Sequence, residues 1–284
     1  MTRRLNIHDL REMKEKGQKI TMITSYDYTS AKILDDVGAD ILLVGDSLAM
    51  VVMGQEGTIN VTLDSMIHHA RAVSRGAKRA MIVVDLPFGT YSGSDLPSSL
   101  RTATRAMVEG RATAVKIEGG RRMAPVVGTL VASGIPVMGH VGLTPQSIHL
   151  IGGFRVQGRS QVAAKRLMLA AKALEEAGAF AIVLELVPTE LARKISKALT
   201  IPTIGIGAGP FCDGQVQVFH DVMGMYEDFV PKHTKRYADI AQVMRKAAKD
   251  YLKEVRTGKF PGPEHSLDMR SVIKQKNGGG RRKI

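Results

Sequence analysis

The chain has 284 residues, of which 44% are hydrophobic and 24% are charged. This composition is typical of a globular protein and not of a disordered or collagen-like chain. Apolar runs stay well short of the roughly 20 residues that span a membrane, and the first residues lack the apolar core of a signal peptide. A single cysteine, Cys212, excludes an internal disulfide and a cysteine-based metal site. We therefore expect a cytoplasmic protein without membrane contact.

The chain is basic, with 40 Lys and Arg residues against 27 Asp and Glu residues and a net charge of +13. Residues 270–284 hold six of the basic side chains and no acid, so residues 1–269 carry a net charge of +7. We predict that residues 1–269 form one folded domain and that the basic tail 270–284 is disordered. A moderate positive charge suits an anionic substrate as well as it suits nucleic acid, but an aromatic content of 5% argues against nucleic-acid binding.

Helical and strand patterns alternate along most of the chain. A helix is predicted over residues 9–17, before the first strand, and another over residues 234–255, after the last. Short apolar runs predict eight parallel strands at 20–24, 41–44, 81–84, 114–117, 136–138, 181–186, 203–206 and, more weakly, 216–219. Amphipathic spacing predicts helices between them at 63–75, 98–109, 123–133, 161–177 and 190–199.

This alternation is typical of an α/β protein with a parallel sheet. The length alone suits one barrel or two smaller domains equally. Because no linker rich in proline or serine interrupts the pattern, the sequence favours one domain. We therefore predict a single (β/α)8 TIM barrel with an N-terminal capping helix and a C-terminal helical extension.

Polar side chains follow five successive predicted strands. Active sites of such barrels lie at the carboxyl ends of the strands, so the residues that end each apolar run are the candidates for function. These residues are Asp46, Asp85, Lys116, Glu118, His140 and Glu185. A single acid at this point is about as often the N-cap of the next helix. The convergence of five units at one mouth favours a functional site.

Three of the candidates, Asp46, Asp85 and Glu118, are carboxylates from three different strands. They form the oxygen donor set that Mg²⁺ prefers, and they leave positions free for substrate oxygens and water. Without a cation, three close carboxylates repel one another and their pKa values rise. The pattern therefore favours a divalent metal site over three separate helix caps.

Lys116 and Glu185 are candidates for charge and proton chemistry. Lys116 lies two residues before Glu118 on the same side of its strand. We expect it to attract a substrate carboxylate, with a Schiff base or an ion pair with Glu118 as alternatives. Glu185 ends the apolar run 180–184, whose burial is expected to raise the pKa of the carboxyl and make it a general base. A buried salt bridge is the alternative for Glu185.

Nine short segments in chain order contain these candidates or lie near them: TSYDY at 24–28, VGDSL at 44–48, DLPF at 85–88, VKIEGG at 115–120, GHVGLTPQS at 139–147, LELVP at 184–188, IGIGAG at 204–209, FP at 260–261 and EHS at 264–266. Together they resemble the ketopantoate hydroxymethyltransferase family, from about residue 5 to residue 268. The sequence departs from the family pattern at Ala49, at residues 55–57 and beyond Met269. None of these positions is a candidate for the site.

The resemblance implies an enzyme of pantothenate biosynthesis that forms 2-dehydropantoate. With Mg²⁺, such an enzyme transfers a hydroxymethyl group from 5,10-methylenetetrahydrofolate to 3-methyl-2-oxobutanoate. By the same resemblance, Asp46, Asp85 and Glu118 bind the metal, Glu185 is the catalytic base and His140 lines the site. The positions implied to contact the keto acid are Asp46, Ser47, Asp85 and Lys116. The family also forms large homo-oligomers, typically decamers.

Two other functions remain open from the sequence. One is a Mg²⁺-dependent barrel enzyme that cleaves or rearranges C–C or C–P bonds in small keto acids, such as a phosphoenolpyruvate mutase or a lyase. Such an enzyme would turn over without folate. The other is a basic binding protein that uses residues 270–284 on RNA or acidic partners, and deletion of that tail distinguishes it.

Overall fold

The computed structural model describes residues 3–267, and the predicted tail at 270–284 lies outside the described residues. The helices and strands follow one another as α1 (Ile7–Glu15), β1 (Ile20–Thr24), α2 (Tyr28–Asp36), β2 (Ile41–Val44), α3 (Leu48–Val51), α4 (Leu63–Gly76), β3 (Met81–Asp85), α5 (Leu96–Val108), β4 (Ala114–Glu118), α6 (Ala124–Ala132), β5 (Val137–Gly142), α7 (Ile148–Ile151), α8 (Gln161–Glu176), β6 (Ala181–Glu185), α9 (Thr189–Ala198), β7 (Thr203–Ile206), β8 (Gly214–Gln217), α10 (Phe219–Val222) and α11 (Ile240–Arg256). Within residues 3–267, no helix is long and apolar enough to cross a membrane.

The eight strands form one closed parallel barrel in the order β1 to β8. The barrel closes where β8 pairs with β1, with Ile20 beside Gly214. Strands β2, β3 and β4 are buried along their whole length, because the barrel interior covers one face and the surrounding helices cover the other. The prediction of a (β/α)8 barrel is confirmed.

Successive residues of each strand alternate between two hydrophobic clusters. The cluster inside the barrel contains Ile41, Leu43, Met81, Val83, Ala114, Met138, Ala181 and Val183. The cluster between the barrel and the helices contains Leu42, Val44, Ile82, Val84, Val115 and Ile182. This period of two decides which side chains of each strand reach the barrel axis.

Helix α1 closes the amino end of the barrel, as predicted. The Asn6 side chain caps it by accepting hydrogen bonds from the N–H groups of His8 and Asp9, and the Asp9 carboxylate accepts from the N–H of Asn6. This capping box starts the helix at Ile7 instead of residue 9. Leu10 of α1 is fully buried and belongs to the cluster inside the barrel.

The connection between β7 and β8 departs from the predicted alternation, because residues 207–213 contain no helix. Gly207 and Gly209 have φ angles of +61° and +81°. A Cβ atom at Gly209 would lie 2.6 Å from Thr189, so the turn requires glycine there. Gln215, which points outward from β8, is exposed, since this connection supplies no helix to cover it.

The last elements begin and end at other residues than predicted. Strand β8 spans Gly214–Gln217 instead of 216–219, and Phe219 begins α10. Helix α11 begins at Ile240 instead of residue 234, after Asp239 whose side chain accepts a hydrogen bond from the N–H of Gln242. This cap fixes the start of the helix.

Candidate active site

Five ionisable side chains continue the inward alternation of their strands at the carboxyl end of the barrel. They are Asp85 on β3, Lys116 and Glu118 on β4, His140 on β5 and Glu185 on β6. The register of the strands places Asp85 beside Lys116 and Glu118 beside His140. The structure therefore brings these predicted residues together at one mouth.

Asp46 reaches the same mouth from the turn after β2. Its backbone N–H donates to Asp85 Oδ2 at 3.1 Å, so two acidic residues are neighbours. Gly45 keeps this turn compact, because a Cβ there would lie 3.0 Å from Ser47 Oγ and 3.5 Å from Asp85 Oδ2. Ser47 Oγ lies 2.8 Å from the hydroxyl of Tyr26, a buried residue after β1. Tyr26 is not among the site residues predicted from the sequence.

Lys116 is a buried cation in this mouth. Its ammonium nitrogen lies 3.1 Å from Asp85 Oδ1 and 3.7 Å from Glu118 Oε1. Burial alone would lower the pKa of Lys116, but the charges of Asp85, Glu118 and Asp46 outweigh burial and raise it. A protonated amine has no lone pair to attack a carbonyl. The structure therefore favours the charge roles of Lys116 over a Schiff base.

His140 lies between two carboxylates. Its Nδ1 is 3.3 Å from Glu118 Oε1, and its Nε2 is 3.2 Å from Glu185 Oε2. The Nδ1 atom also lies 3.2 Å from Lys116 Nζ. Burial and the Lys116 ammonium would lower the pKa of His140, but Glu118 and Glu185 outweigh them and raise it to about 9. At neutral pH, His140 is therefore a second cation of the mouth.

The stability of the metal-free protein should fall with rising pH because of His140. Its pKa of about 9 in the folded protein exceeds the usual 6.5, so the full contribution to stability is present below pH 6.5 and is lost as the pH rises through about 9. Urea unfolding in EDTA should show a loss on the order of 3 kcal/mol from this group. The variant His140→Gln should show a smaller loss, and equal pH dependence in both proteins would contradict the protonated state.

Asp46 and Asp85 are buried carboxyl groups with raised pKa values. Burial, followed by the charges of Asp85 and Glu118, raises the pKa of Asp46 well above its usual range. Burial also raises the pKa of Asp85, against the opposing effect of Lys116. Within residues 3–267, the contact of Asp85 Oδ1 is the ion pair with Lys116 Nζ at 3.1 Å, without the geometry of a hydrogen bond. Two adjacent buried acids, whose charged forms burial disfavours, fit a divalent cation that would compensate their charge.

Glu118, the third predicted metal ligand, is held by other partners. One oxygen faces His140, and the other accepts the backbone N–H of Gln146 at 3.0 Å. Burial would raise the pKa of Glu118, but His140 is the strongest of the groups that outweigh burial and lower it. In the described part of the chain, no three His, Cys, Asp or Glu side chains are already arranged to hold a metal. The fit to a cation therefore rests on Asp46 and Asp85.

Gln146 connects several parts of the site, although sequence analysis assigned it no role. Its side-chain nitrogen donates to Asp46 Oδ2 at 2.8 Å and to the carbonyl of Leu86 at 2.9 Å. Its side-chain oxygen accepts from the Tyr91 hydroxyl at 2.7 Å, and that hydroxyl accepts from the N–H of Glu118 at 2.9 Å. Gln146 is 100 residues from Asp46 along the chain. No local sequence pattern predicts such a contact.

Glu185 is more exposed than the other carboxylates of the mouth. Its side chain is 16% exposed, against 3% for the side chains of Asp85 and Glu118. In the preceding apolar run, Ile182 and Leu184 pack against the helices and not against this carboxylate. The enclosure that sequence analysis expected is therefore partial, and Glu185 remains open to the mouth.

A closed (β/α)8 barrel with buried acids, a lysine and a histidine at its carboxyl end has the architecture of a barrel enzyme. A solved structure with a similar fold is that of phosphonopyruvate hydrolase in complex with oxalate and Mg²⁺. It has a TM-score of 0.58 and 14% sequence identity, and the match covers 98% of this chain and 95% of that chain. At this identity the likeness shows the fold alone.

The sequence comparisons define the family. A family model described as ketopantoate hydroxymethyltransferase matches residues 4–263, and the chain belongs to this family. The 3-methyl-2-oxobutanoate hydroxymethyltransferase of Chloroflexus aurantiacus is 54% identical over 266 residues, which are 94% of each chain. That of Carboxydothermus hydrogenoformans is 53% identical over 270 residues, which are 95% of this chain and 98% of the relative. The resemblance seen in short segments is confirmed.

Proposed function

We propose that this protein transfers a hydroxymethyl group to 3-methyl-2-oxobutanoate, with 5,10-methylenetetrahydrofolate as the donor and 2-dehydropantoate as the product. The observation that supports this most directly is the mouth, which brings together adjacent acids, a buried cation and an accessible carboxylate. The chain that forms this mouth is 54% identical to a 3-methyl-2-oxobutanoate hydroxymethyltransferase. For the alternative, a lyase or mutase of small keto acids, there is only a likeness of fold, at 19% identity to a 2,3-dimethylmalate lyase and 13% to a phosphoenolpyruvate phosphomutase. The hydroxymethyltransferase is therefore the better supported function.

Asp46 and Asp85 would hold Mg²⁺ in this enzyme, and Glu118 would join them after release from its present partners. The ion would polarise the carbonyl of a bound 2-keto acid and make the hydrogen on C3 acidic. The adjacency of Asp46 and Asp85 and the raised pKa values of both carboxyl groups support this placement. The similar barrel of phosphonopyruvate hydrolase was solved with Mg²⁺ and oxalate.

Each of the other side chains of the mouth has a separate role in the reaction. Lys116 attracts the carboxylate of the keto acid and offsets negative charge that develops at the carbonyl oxygen. Glu185 removes the proton from C3, and His140, 3.2 Å from its carboxylate, orients it. Ser47, held by Tyr26, offers a hydroxyl to the substrate. The deprotonated C3 then forms a C–C bond to the methylene carbon of the folate. Water replaces the folate nitrogen on that carbon and supplies the hydroxyl, and tetrahydrofolate leaves with the protons from C3 and from water on its nitrogens.

Turnover of 3-methyl-2-oxobutanoate, with 2-dehydropantoate identified by mass spectrometry, tests the proposed function. We expect product only when methylenetetrahydrofolate is added. Activity should fall to background in EDTA and return with Mg²⁺, because the acidity of C3 depends on the ion. Consumption of the keto acid without folate would support a lyase, and full activity in EDTA would contradict the metal.

We also propose a cytoplasmic homo-oligomer, a decamer by family resemblance, with residues 1–269 as its catalytic domain. Helix α11 supports the oligomer. Its residues Val243, Met244 and Tyr251 are each more than half exposed in the single chain. Several exposed apolar side chains on one helix are typical of an interface with another subunit. Light scattering after size-exclusion chromatography measures the number of subunits.

A further inference from the structure

A cavity of about 580 Å³ opens directly beside the catalytic mouth. Its wall begins at Glu118 and continues over Gly119, Gly120 and Gly142. Gly120 packs closely against α8, since a Cβ at this position would lie 2.8 Å from that of Ala170. The volume is in the range of small-molecule sites. Because Glu118 belongs to both the cavity and the mouth, a ligand in the cavity would extend to the reacting atoms.

Three arginines line the cavity: Arg121 and Arg122 from the turn after β4, and Arg166 from α8. All three are exposed. Among residues 3–267 none of them pairs with an acid, whereas Arg105 on α5 binds Glu109. Guanidinium groups without protein partners are suited to bind carboxylates in a bidentate manner. The cavity is therefore expected to attract a ligand with more than one carboxylate.

The other side chains of the wall are mainly apolar. They include Met123, Leu150, Ile151, Leu169 and Ala170. Leu150 and Leu169 are 88% and 48% exposed, so a bound ligand would cover apolar surface that now faces water. The matching ligand has an apolar or aromatic body near the mouth and carboxylates at its far end.

We propose that this cavity binds the aminobenzoyl-glutamate tail of the folate donor, with Arg121, Arg122 and Arg166 paired to the tail carboxylates. This assignment rests on the proposed function, which includes the folate donor. It adds the residues that recognise the donor. The aromatic ring of the tail contacts Met123 and Leu169. The reduced pterin, with its one-carbon group, then lies across the glycines toward the keto acid.

Steady-state kinetics of Arg166→Gln test this assignment. We expect the KM for methylenetetrahydrofolate to rise about fivefold, the effect of one lost charge-assisted contact at an exposed site. The KM for the keto acid should stay near the wild-type value, as should the exchange of its C3 hydrogen with D2O in the absence of folate. The control Arg75→Gln removes the same charge from the last turn of α4, at the opposite end of the barrel. It should leave the KM for folate unchanged.

Calorimetric titration with tetrahydrofolate gives a second readout that needs no turnover. The Kd should rise further in the double variant Arg121→Gln/Arg166→Gln than in Arg166→Gln. An unchanged folate KM in a double variant that still forms 2-dehydropantoate would overturn this assignment but not the proposed function. An equal rise in the KM of both substrates would overturn it as well. Failure of the wild-type protein to form 2-dehydropantoate would instead overturn the proposed function.

Discussion

Replacing Glu185 by glutamine should abolish removal of the C3 proton while the barrel stays folded. Glutamine keeps the shape of the side chain and a hydrogen-bonding group near His140, but it cannot accept the proton. With Mg²⁺ and without folate, exchange of the C3 hydrogen of 3-methyl-2-oxobutanoate with D2O should fall by a factor on the order of 10² or more. Proton NMR measures the exchange, and circular dichroism and keto-acid affinity check the fold and the site.

A matched control for this variant is Glu175→Gln. Glu175 is a carboxylate of α8 that accepts hydrogen bonds from the N–H groups of Thr200 and Ile201, near the amino end of the barrel. The Glu175→Gln protein should exchange the C3 hydrogen at the wild-type rate. Near-wild-type exchange in a folded Glu185→Gln protein would mean that another group is the base. Unfolding, or weaker binding with unchanged exchange per bound substrate, would indicate that Glu185 serves only as an ion pair with His140.

Asp85→Asn should weaken Mg²⁺ binding on the order of 10²-fold, because a neutral amide replaces a negatively charged oxygen ligand at almost the same volume. Activity at a fixed low Mg²⁺ concentration should fall in parallel, and high Mg²⁺ should restore part of it. The Mg²⁺-dependent rise in Tm gives the affinity without turnover.

The control for Asp85→Asn is Asp213→Asn, which also removes an aspartate paired with a lysine. Asp213 lies 2.9 Å from Lys14, next to the amino end of β8 and away from the mouth. This variant should lose stability but keep the Mg²⁺ dependence of the wild type. If Asp85→Asn has that same unchanged Mg²⁺ dependence, Asp85 is only the partner of Lys116.

The alternation of side chains explains why the mouth could be predicted from sequence. On β3, Met81 and Val83 point into the barrel, and the same period places Asp85 at its rim. A polar side chain that ends an inward-facing series of apolar residues therefore lies at the carboxyl end of the barrel. Asp46 does not follow this rule, since it lies beyond β2 in a turn. Asp46 was nevertheless a candidate, because it is the first acidic residue after the apolar run 41–44.

Other features depend on contacts between distant loops and could not be predicted in this way. Gln146 and Tyr91 meet Asp46 and Glu118 only after the connections that follow β2, β3 and β5 pack together at the end of β4. The partial exposure of Glu185 likewise depends on neighbouring strands and not on its own apolar run. Periodicity within one segment contains no information about such contacts.

The raised pKa values of Asp46 and Asp85 have a consequence for how a cation enters the mouth. In the absence of metal, burial and the neighbouring carboxylates make these acids hold a proton more firmly than acids in water do. A divalent ion that binds there must displace that proton, so protons and the ion compete for the same oxygens. Lys116 cannot accept the displaced proton, because its own pKa is raised. If Asp46 and Asp85 hold the ion as proposed, its binding releases a proton, and acidification is expected to weaken that binding.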